Sequence, residues 1–439
     1  MSNTINICTE RIKMQILIKN VAKILKAELD VGGVTVIAGY NNMGKSTVLK
    51  SIYVVLNTFR NSTNKIVSTR KESIYSYLLK SENYFDQNGC ENIPRELLFD
   101  FAHGIGQHIE EFNAMGKDNY ELFKKIFFQS LVMYEHFFSN DLEKCAIYQD
   151  DFIKPLYEKI NSICTRDRNI DLRYIGEMYI RNVFKEQLNN LYGESQASIK
   201  AESRSEHYFM SILDNKITDI EYSRNSEPDV YYIPAYNTLD IITSSRFTAS
   251  RYSPEGTIRR ALRSNSEDPS LEEYWESEDN TKLIREILKD VIQGKLMQSP
   301  TGEIAFKDSG SDKFIKIGNV ASGIKNFLII QTLIENGELK NNSLLLIDEP
   351  ETNLHPEWHI KFAELLVLMY KRMGIRSIVS SHSPYFIRAL EVKMADHEIK
   401  TDGRYYMMKK VRENSFQAED VTMKTDKIYS TLYDPLEYL

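Results

Sequence analysis

The residues Gly39-Tyr40-Asn41-Asn42-Met43-Gly44-Lys45-Ser46-Thr47 follow directly on the apolar run Val34 to Ala38. Two glycines at this spacing let successive backbone N–H groups turn toward one anion at a helix N-terminus. Lys45 then has the reach for β- and γ-phosphates, and the Ser46 hydroxyl suits Mg²⁺. The chemistry within reach is the holding of a nucleotide triphosphate by Gly39, Asn41, Asn42, Met43, Gly44, Lys45, Ser46 and Thr47. It requires a strand before the turn and a helix after it, and the flanking residues supply both patterns.

Three further segments could act on such a ligand. Leu344-Leu345-Leu346-Ile347 is an uninterrupted apolar run that ends in Asp348-Glu349-Pro350, the pattern of a buried parallel strand delivering acids at its C-terminal end. Asp348 is placed to hold Mg²⁺, and Glu349, next along, to polarise an attacking water as general base. Ser377-Ile378-Val379-Ser380-Ser381-His382-Ser383-Pro384 is another short strand ending in a histidine that could touch a γ-phosphate. Between the two lies an amphipathic helix with Trp358, Ile360, Phe362, Leu365, Leu366 and Met369 on its apolar face and Gly374 as its stop. Ser322-Gly323 opens an apolar helix carrying Phe327, Leu328, Ile330, Leu333 and Ile334. Taken alone, a Ser-Gly pair there is an ordinary N-cap, and a lone His382 would be a turn-capping histidine.

As a set, in this order, the four segments resemble the ATP-binding-cassette ATPases: Walker A, a signature Ser-Gly, a Walker B ending Asp-Glu, and a switch histidine. The continuation Glu351-Thr352-Asn353-Leu354-His355-Pro356 is similar to the SMC-like and OLD-like cassette proteins rather than to transporter cassettes. The resemblance implies an α/β P-loop NTPase fold of ABC-ATPase type, with a central mostly parallel sheet plus antiparallel strands. It implies ATP and Mg²⁺ as ligands, and a homodimer sandwiching two ATP molecules, higher oligomers remaining open. Ser322 and Gly323 of one head would complete the site on the other, so a lone head would hydrolyse poorly. Catalytic roles would fall to Glu349, His382 and Lys45, and metal binding to Ser46 and Asp348. Ile324 and Lys325 depart from the glycine and glutamine of transporter signatures. A Q-loop glutamine is not singled out among Gln87, Gln107, Gln129 and Gln149.

The elements that must position these residues are divided by a long interruption. Met14 to Lys50 reads as strand, hairpin-like turn at Gly32-Gly33, strand, P-loop and helix. Everything between Lys45 and Ser322 is far more chain than one βα connection needs. The expected organisation is residues 1–65 as the first part of an ATPase head, 66–225 as a largely helical inserted lobe, and 226–439 as the rest of the head. Helical stripes support the lobe: Tyr120, Leu122, Phe123, Ile126, Phe127, Leu131, Val132, Tyr134 and Phe138, then Ile180, Val183, Phe184, Leu188 and Leu191. No heptad pattern persists, so long coiled-coil arms are not expected. Val230 to Ala235 reads as a strand returning to the sheet, and Tyr405 to Val411 with Phe416 to Val421 as a closing strand pair. The span from about 243 to 280 is Ser-rich and charge-segregated, with Arg246, Arg251, Arg259, Arg260 and Arg263 ahead of Glu267, Asp268, Glu272, Glu273, Glu276, Glu278 and Asp279. It reads as an exposed, mobile segment, either merely solvated or a contact for phosphate or a partner.

Composition sets the class. The chain has 439 residues, 42% hydrophobic and 11% aromatic, enough for two or three packed units. A net charge of −7 does not mark a bulk nucleic-acid binder, so any such contact would need a local patch. No stretch is long enough to span a bilayer, Met1 to Lys13 has no signal-peptide core, and Cys8, Cys90, Cys145 and Cys164 are isolated. The expectation is a cytoplasmic protein without membrane contact. The short stretch after His382 leaves no room for an appended nuclease domain, so any cutting is expected from another chain. The segments also look like those of Septu-type and retron-associated antiviral defence ATPases. That resemblance implies control of a separate effector, a nuclease or toxin. The alternatives are a DNA-binding repair ATPase of RecF or SMC kind and a nucleotide-gated scaffold with negligible turnover.

Overall fold

The structure is a computed structural model describing residues 14–81, 85, 94–115, 119–134, 149–190, 192, 196–223, 229–236, 238–243, 250–263, 279–311 and 313–433. Expectations placed on Met1 to Lys13, Gln87, Cys90, Phe138, Cys145, Leu191, Arg246 and the acidic residues from Glu267 to Glu278 lie outside the described residues.

Residues 1–60 and 176–439 make one compact unit and residues 61–175 another. In the first unit, among the described residues, eleven strands form one sheet. One side of it is parallel: β3 (Val34–Ala38), β7 (Val230–Ile233), β11 (Leu344–Asp348), β12 (Arg376–Ser381) and β13 (Gly403–Arg412) lie in the order β13-β3-β12-β11-β7, with β7 at the end of the row. All residues of β3, β7, β11 and β12 are buried, and β11 accordingly reads as a continuous apolar run rather than an alternating one, while β12 keeps Ile378 and Val379 between buried Arg376-Ser377 and Ser380-Ser381. The remainder is antiparallel: β1 (Met14–Val21) pairs β2 (Ile24–Val31) and β4 (Ala197–Glu202). Next to β4 come β5 (His207–Leu213) and β6 (Lys216–Tyr222), while β14 (Ser415–Asp420) returns on β13 and lies parallel to β2. This is the α/β, ABC-type P-loop arrangement that the motifs imply.

Helix α1 (Lys45–Phe59) is buried on nearly all sides, with Val48, Leu49, Ile52, Tyr53, Val55 and Phe59 in the interior. The other unit is helical: α2 (Ser62–Lys80), α3 (Arg95–Gln107), α4 (Ile109–Met115), α5 (Tyr120–Val132) and α6 (Asp150–Cys164) enclose a core of Ile74, Phe101, Phe123, Phe127, Leu156 and Ile160. The chain passes from this unit to the first within α7 (Arg168–Phe184). In the first unit, α8 (Thr238–Thr243), α9 (Pro254–Arg263) and α10 (Asp279–Val291) precede a three-stranded sheet of β8 (Gly294–Gln298), β9 (Ile304–Asp308) and β10 (Phe314–Ile315). Then come α11 (Lys325–Glu335), α12 (Pro356–Met373), α13 (Pro384–Asp396) and α14 (Asp426–Tyr433).

Several expectations are corrected. The helical lobe does not extend to 225, because β4, β5 and β6 join the large sheet. The stripe through Leu191 ends as helix at Phe184, where Lys185 and Glu186 take positive φ of 53° and 63°. Gly32-Gly33 is not a hairpin turn. The hairpin turns at Ala22-Lys23, and the glycines lead into β3, which is separated from β2 by β14 and β13. They are glycines for space: a Cβ at Gly32 would sit 2.1 Å from the Asp402 carbonyl oxygen, and one at Gly33 2.2 Å from the Tyr370 ring. The segment read as exposed and mobile contains α9, whose Ile258, Ala261 and Leu262 are in the core. There the Arg260 guanidinium donates to the Gly256 and Arg251 carbonyls, and Arg251 to the Tyr252 hydroxyl. In α12, Ile360 is exposed rather than on the buried face.

Candidate nucleotide site

Strand register brings the motifs to one edge. Ala38 pairs with Ser381, Ser380 with Asp348, and Ile347 with Ile233, so four parallel strands end in one row. The residues just beyond those ends are Gly39, His382, Glu349 and Pro234. Ligands bind outside the carboxyl ends of such strands because the connecting loops and helix N-termini converge there.

The turn from β3 into α1 is left-handed at Asn42 (φ 66°) and Gly44 (φ 88°). The first turn of α1 has no acidic residue and no side-chain cap, so its N–H groups are kept for an anion. The β1–β2 hairpin backs this turn: the Lys23 ammonium donates to Asn42 Oδ1 at 2.9 Å, and a Cβ on Gly44 would meet Ile24 Cδ1 at 2.5 Å. The Tyr40 hydroxyl donates to the Thr431 carbonyl. Asn41 and Asn42 are exposed, and Met43, Gly44, Ser46 and Thr47 are half-buried.

Lys45 is 4% exposed. Its ammonium donates to the carbonyls of Gly39 (2.9 Å) and Tyr40 (3.0 Å), and lies 3.6 Å from Glu349 Oε1. Burial pushes its pKa down, opposed by the carboxylates of Glu349, Asp348 and Glu351. A buried cation satisfied by loop carbonyls and one distant carboxylate fits an incoming phosphate.

Asp348, also 4% exposed, is fixed by the Ser380 hydroxyl on Oδ1 and the Tyr232 hydroxyl on Oδ2 at 3.3 Å. Burial, and next the Asp348 carboxylate, push the Tyr232 phenol up, so it stays a donor. The hard oxygen donors of Asp348 and Ser46 are of the kind Mg²⁺ takes, with the remaining positions left to water and phosphate. Glu349 leaves β11 with φ 48°, held by its N–H to the Ser380 carbonyl (3.0 Å). His382 Nδ1 lies 3.3 Å from Glu349 Oε1 and 3.7 Å from Glu351 Oε1, in ion-pair contact outside hydrogen-bond geometry. Glu351 is 7% exposed, and burial raises its pKa, opposed first by the Ser381 hydroxyl.

Ser322 and Gly323 stand elsewhere. They form a short 3₁₀ turn, Ser322–Ile324, ahead of α11, with no side-chain cap, so the N-cap reading of this serine does not hold. Ser322 is exposed, and neither residue makes a hydrogen bond or ion pair with Lys45, Asp348, Glu349 or His382 among the described residues. Gly323 leaves no room for a side chain, since a Cβ would come 2.7 Å from the Asn353 carbonyl oxygen. Lys325 is buried and donates to both oxygens of Asp240 on α8, at 2.6 and 2.8 Å. Gln107, Gln129 and Gln149 all belong to the helical unit, and the turn after β7 carries Pro234-Ala235-Tyr236 instead.

Sequence reasoning passed over Tyr232, Ser380, Ser381 and Glu351. Their one signal was polarity where burial is expected: two serines ending a strand with an apolar centre, and a third acid in Asp348-Glu349-Pro350-Glu351.

The AAA ATPase domain family matches residues 14–387. A retron Vc95 probable ATPase of Vibrio cholerae serotype O1 biovar El Tor is 22% identical over 419 residues, covering 85% of this chain and 70% of that protein. Among solved structures, an SmcHead bound to the C-winged helix domain of ScpA gives a TM-score of 0.43 at 9% identity, covering 94% of this chain and 99% of that one. An SMC head domain from Thermotoga maritima gives 0.37 at 12% identity, with the same coverages of 94% and 99%.

Proposed function

Because the chain belongs to the AAA ATPase domain family, we propose that it binds ATP with Mg²⁺ at this edge, dimerises around it and hydrolyses it slowly. The cycle would control a separate effector protein, a nuclease or toxin, in antiviral defence. The observation that carries the ATPase part is the buried Lys45 ammonium, which faces Glu349, with Asp348 and His382 on the neighbouring strand ends. The effector part rests on similarity to a retron-associated probable ATPase.

In this reading the backbone from Gly39 to Thr47 wraps the phosphates and Lys45 leaves its carbonyl partners for β/γ oxygens. Asp348 and Ser46 would hold Mg²⁺, which supplies neutralisation of charge on the phosphate oxygens when bound. Glu349 orients the attacking water and takes its proton, and His382 contacts the γ-phosphate. Ser322, exposed, and Gly323, buried beside it, would serve the site of a second copy. ATP hydrolysis in a coupled phosphate-release assay tests the core: Glu349→Gln should lose about 100-fold or more in rate while still binding ATP. Hydrolysis at the parent rate would remove Glu349 from the base role. Co-purification of the chain with its genomic neighbours tests the effector, and recovery of the chain alone in every nucleotide state would count against one.

A further inference from the structure

Glu351 is a buried carboxylate that these roles leave unused. Its Oε1 is fully occupied by the Ser381 hydroxyl at 2.6 Å and the His382 backbone N–H at 3.2 Å. Its Oε2 is buried and has no hydrogen-bond partner among the described residues. An acceptor kept dry and empty is costly, so a group that reaches it in another state of the protein would account for its presence. A titratable neighbour of this carboxylate is the His382 ring, whose Nδ1 is 3.7 Å from Glu351 Oε1 and also makes no hydrogen bond among the described residues.

The same nitrogen lies 3.3 Å from Glu349 Oε1, and Lys45 approaches that oxygen to 3.6 Å. A carboxylate engaged by an ammonium and an imidazole is a poor acceptor for a proton from water. Lys45 has a phosphate to move to when nucleotide arrives, but His382 needs another acceptor before Glu349 is released. We propose that Glu351 is a positioning residue that takes the His382 ring from Glu349 once nucleotide is bound, freeing Glu349 to orient water. The hand-over is small, because both carboxylates already flank the one nitrogen, and it fixes which ring nitrogen is left for the nucleotide. Glu351 thus acts through His382 and does not touch the reacting atoms.

This rests on the ATPase reading, so the experiment separates the two. Hydrolysis and ATP affinity are measured for the parent, Glu351→Gln, His382→Ala and the double variant. Gln keeps an oxygen for Ser381 and the His382 N–H but offers the ring an amide NH₂ in place of an acceptor. The expected result is a kcat lower by about tenfold with ATP affinity within about twofold, and no further loss when the substitution is made in the His382→Ala background. A parent-like kcat, or the same loss with and without His382, overturns the proposal, the latter because a merely structural role would persist without the ring. If Glu351→Gln does not fold, Ser381→Ala takes its place, since it removes the hydroxyl that seats Glu351. Its loss of rate should again vanish without His382, and equal losses in both backgrounds overturn the proposal. A parent chain without hydrolysis refutes the ATPase reading itself, and this inference with it.

Discussion

Lys45 shows how much a single residue type at one spacing can say. A lysine following Gly-x-x-x-x-Gly was readable as a phosphate ligand from sequence, and in the fold it is buried against two loop carbonyls and Glu349, with the charges of Asp348 and Glu351 felt there as well. Lys45→Ala should therefore weaken ATP binding by about 2–3 kcal/mol, the range for a charge-assisted hydrogen bond. Titration calorimetry would detect this, and an unchanged affinity would undo the P-loop assignment. Gly44→Ala asks a different question, because φ of 88° suits no L side chain and the new methyl would press on Ile24. A cost of about 1–2 kcal/mol in folding stability is expected from the backbone alone, together with a loss of ATP binding as the loop adjusts. Denaturant melts compared with binding would separate the two effects. What the sequence could not yield were the residues holding these groups. Tyr232 reaches Asp348, and Ser381 reaches Glu351, from different strands, and only strand register decides which polar side chains meet.

At the scale of elements, legibility followed burial. Strands covered on both faces, such as β3 and β11, are largely apolar runs and were found with their flanking motifs, as was β12 from its central Ile378-Val379. By contrast β6, Lys216–Tyr222, buries only Ile217 and Ile220, and no period distinguishes it from the helical region before it. The inserted region was accordingly drawn too long, and the order of strands in the sheet could not be read at all. Two buried ion pairs, neither visible in sequence, now make element-level predictions. Lys325 at the start of α11 is oriented by Asp240, which fixes the turn that presents Ser322. Asp240→Ala leaves that ammonium buried and unpaired and should destabilise the unit by about 3–5 kcal/mol, less whatever solvent reaches the half-exposed Asp240 side. Differential scanning calorimetry checks it, and an unchanged transition would show Lys325 to be satisfied otherwise. In the helical unit, Arg70 joins α2 to Asp171 at 2.8 Å and to the carbonyls of Cys164 and Arg166 beyond α6. Among the described residues, Arg70→Met leaves Asp171 only Arg166, at 3.4 Å, to meet it. Faster amide exchange across α2 and α6 is the expected outcome, with protection elsewhere unchanged.

For the whole molecule the argument turns on Ser322. In the proposed reading, Ser322, which is exposed and makes no bond with its own chain's Lys45, Asp348, Glu349 or His382 among the described residues, serves another surface. In the dimer reading that surface is the nucleotide-loaded P-loop of a second copy, so assembly should be gated by ATP and not by the protein alone. Light scattering of the Glu349→Gln variant should give the 51.1 kDa chain without nucleotide and twice that mass with ATP and Mg²⁺. Ser322→Arg should return the ATP-bound mass to that of the single chain and lower the parent's hydrolysis about tenfold or more, while each chain still binds ATP. A mass that ignores nucleotide, or a Ser322→Arg protein that hydrolyses like the parent, would leave the serine without a second-copy role. Net charge bears on the remaining partners: at −7 the molecule as a whole repels nucleic acid. ATPase stimulation by DNA that falls steeply with salt would then have to come from a local basic surface, and would favour a DNA-binding ATPase over the control of an effector protein.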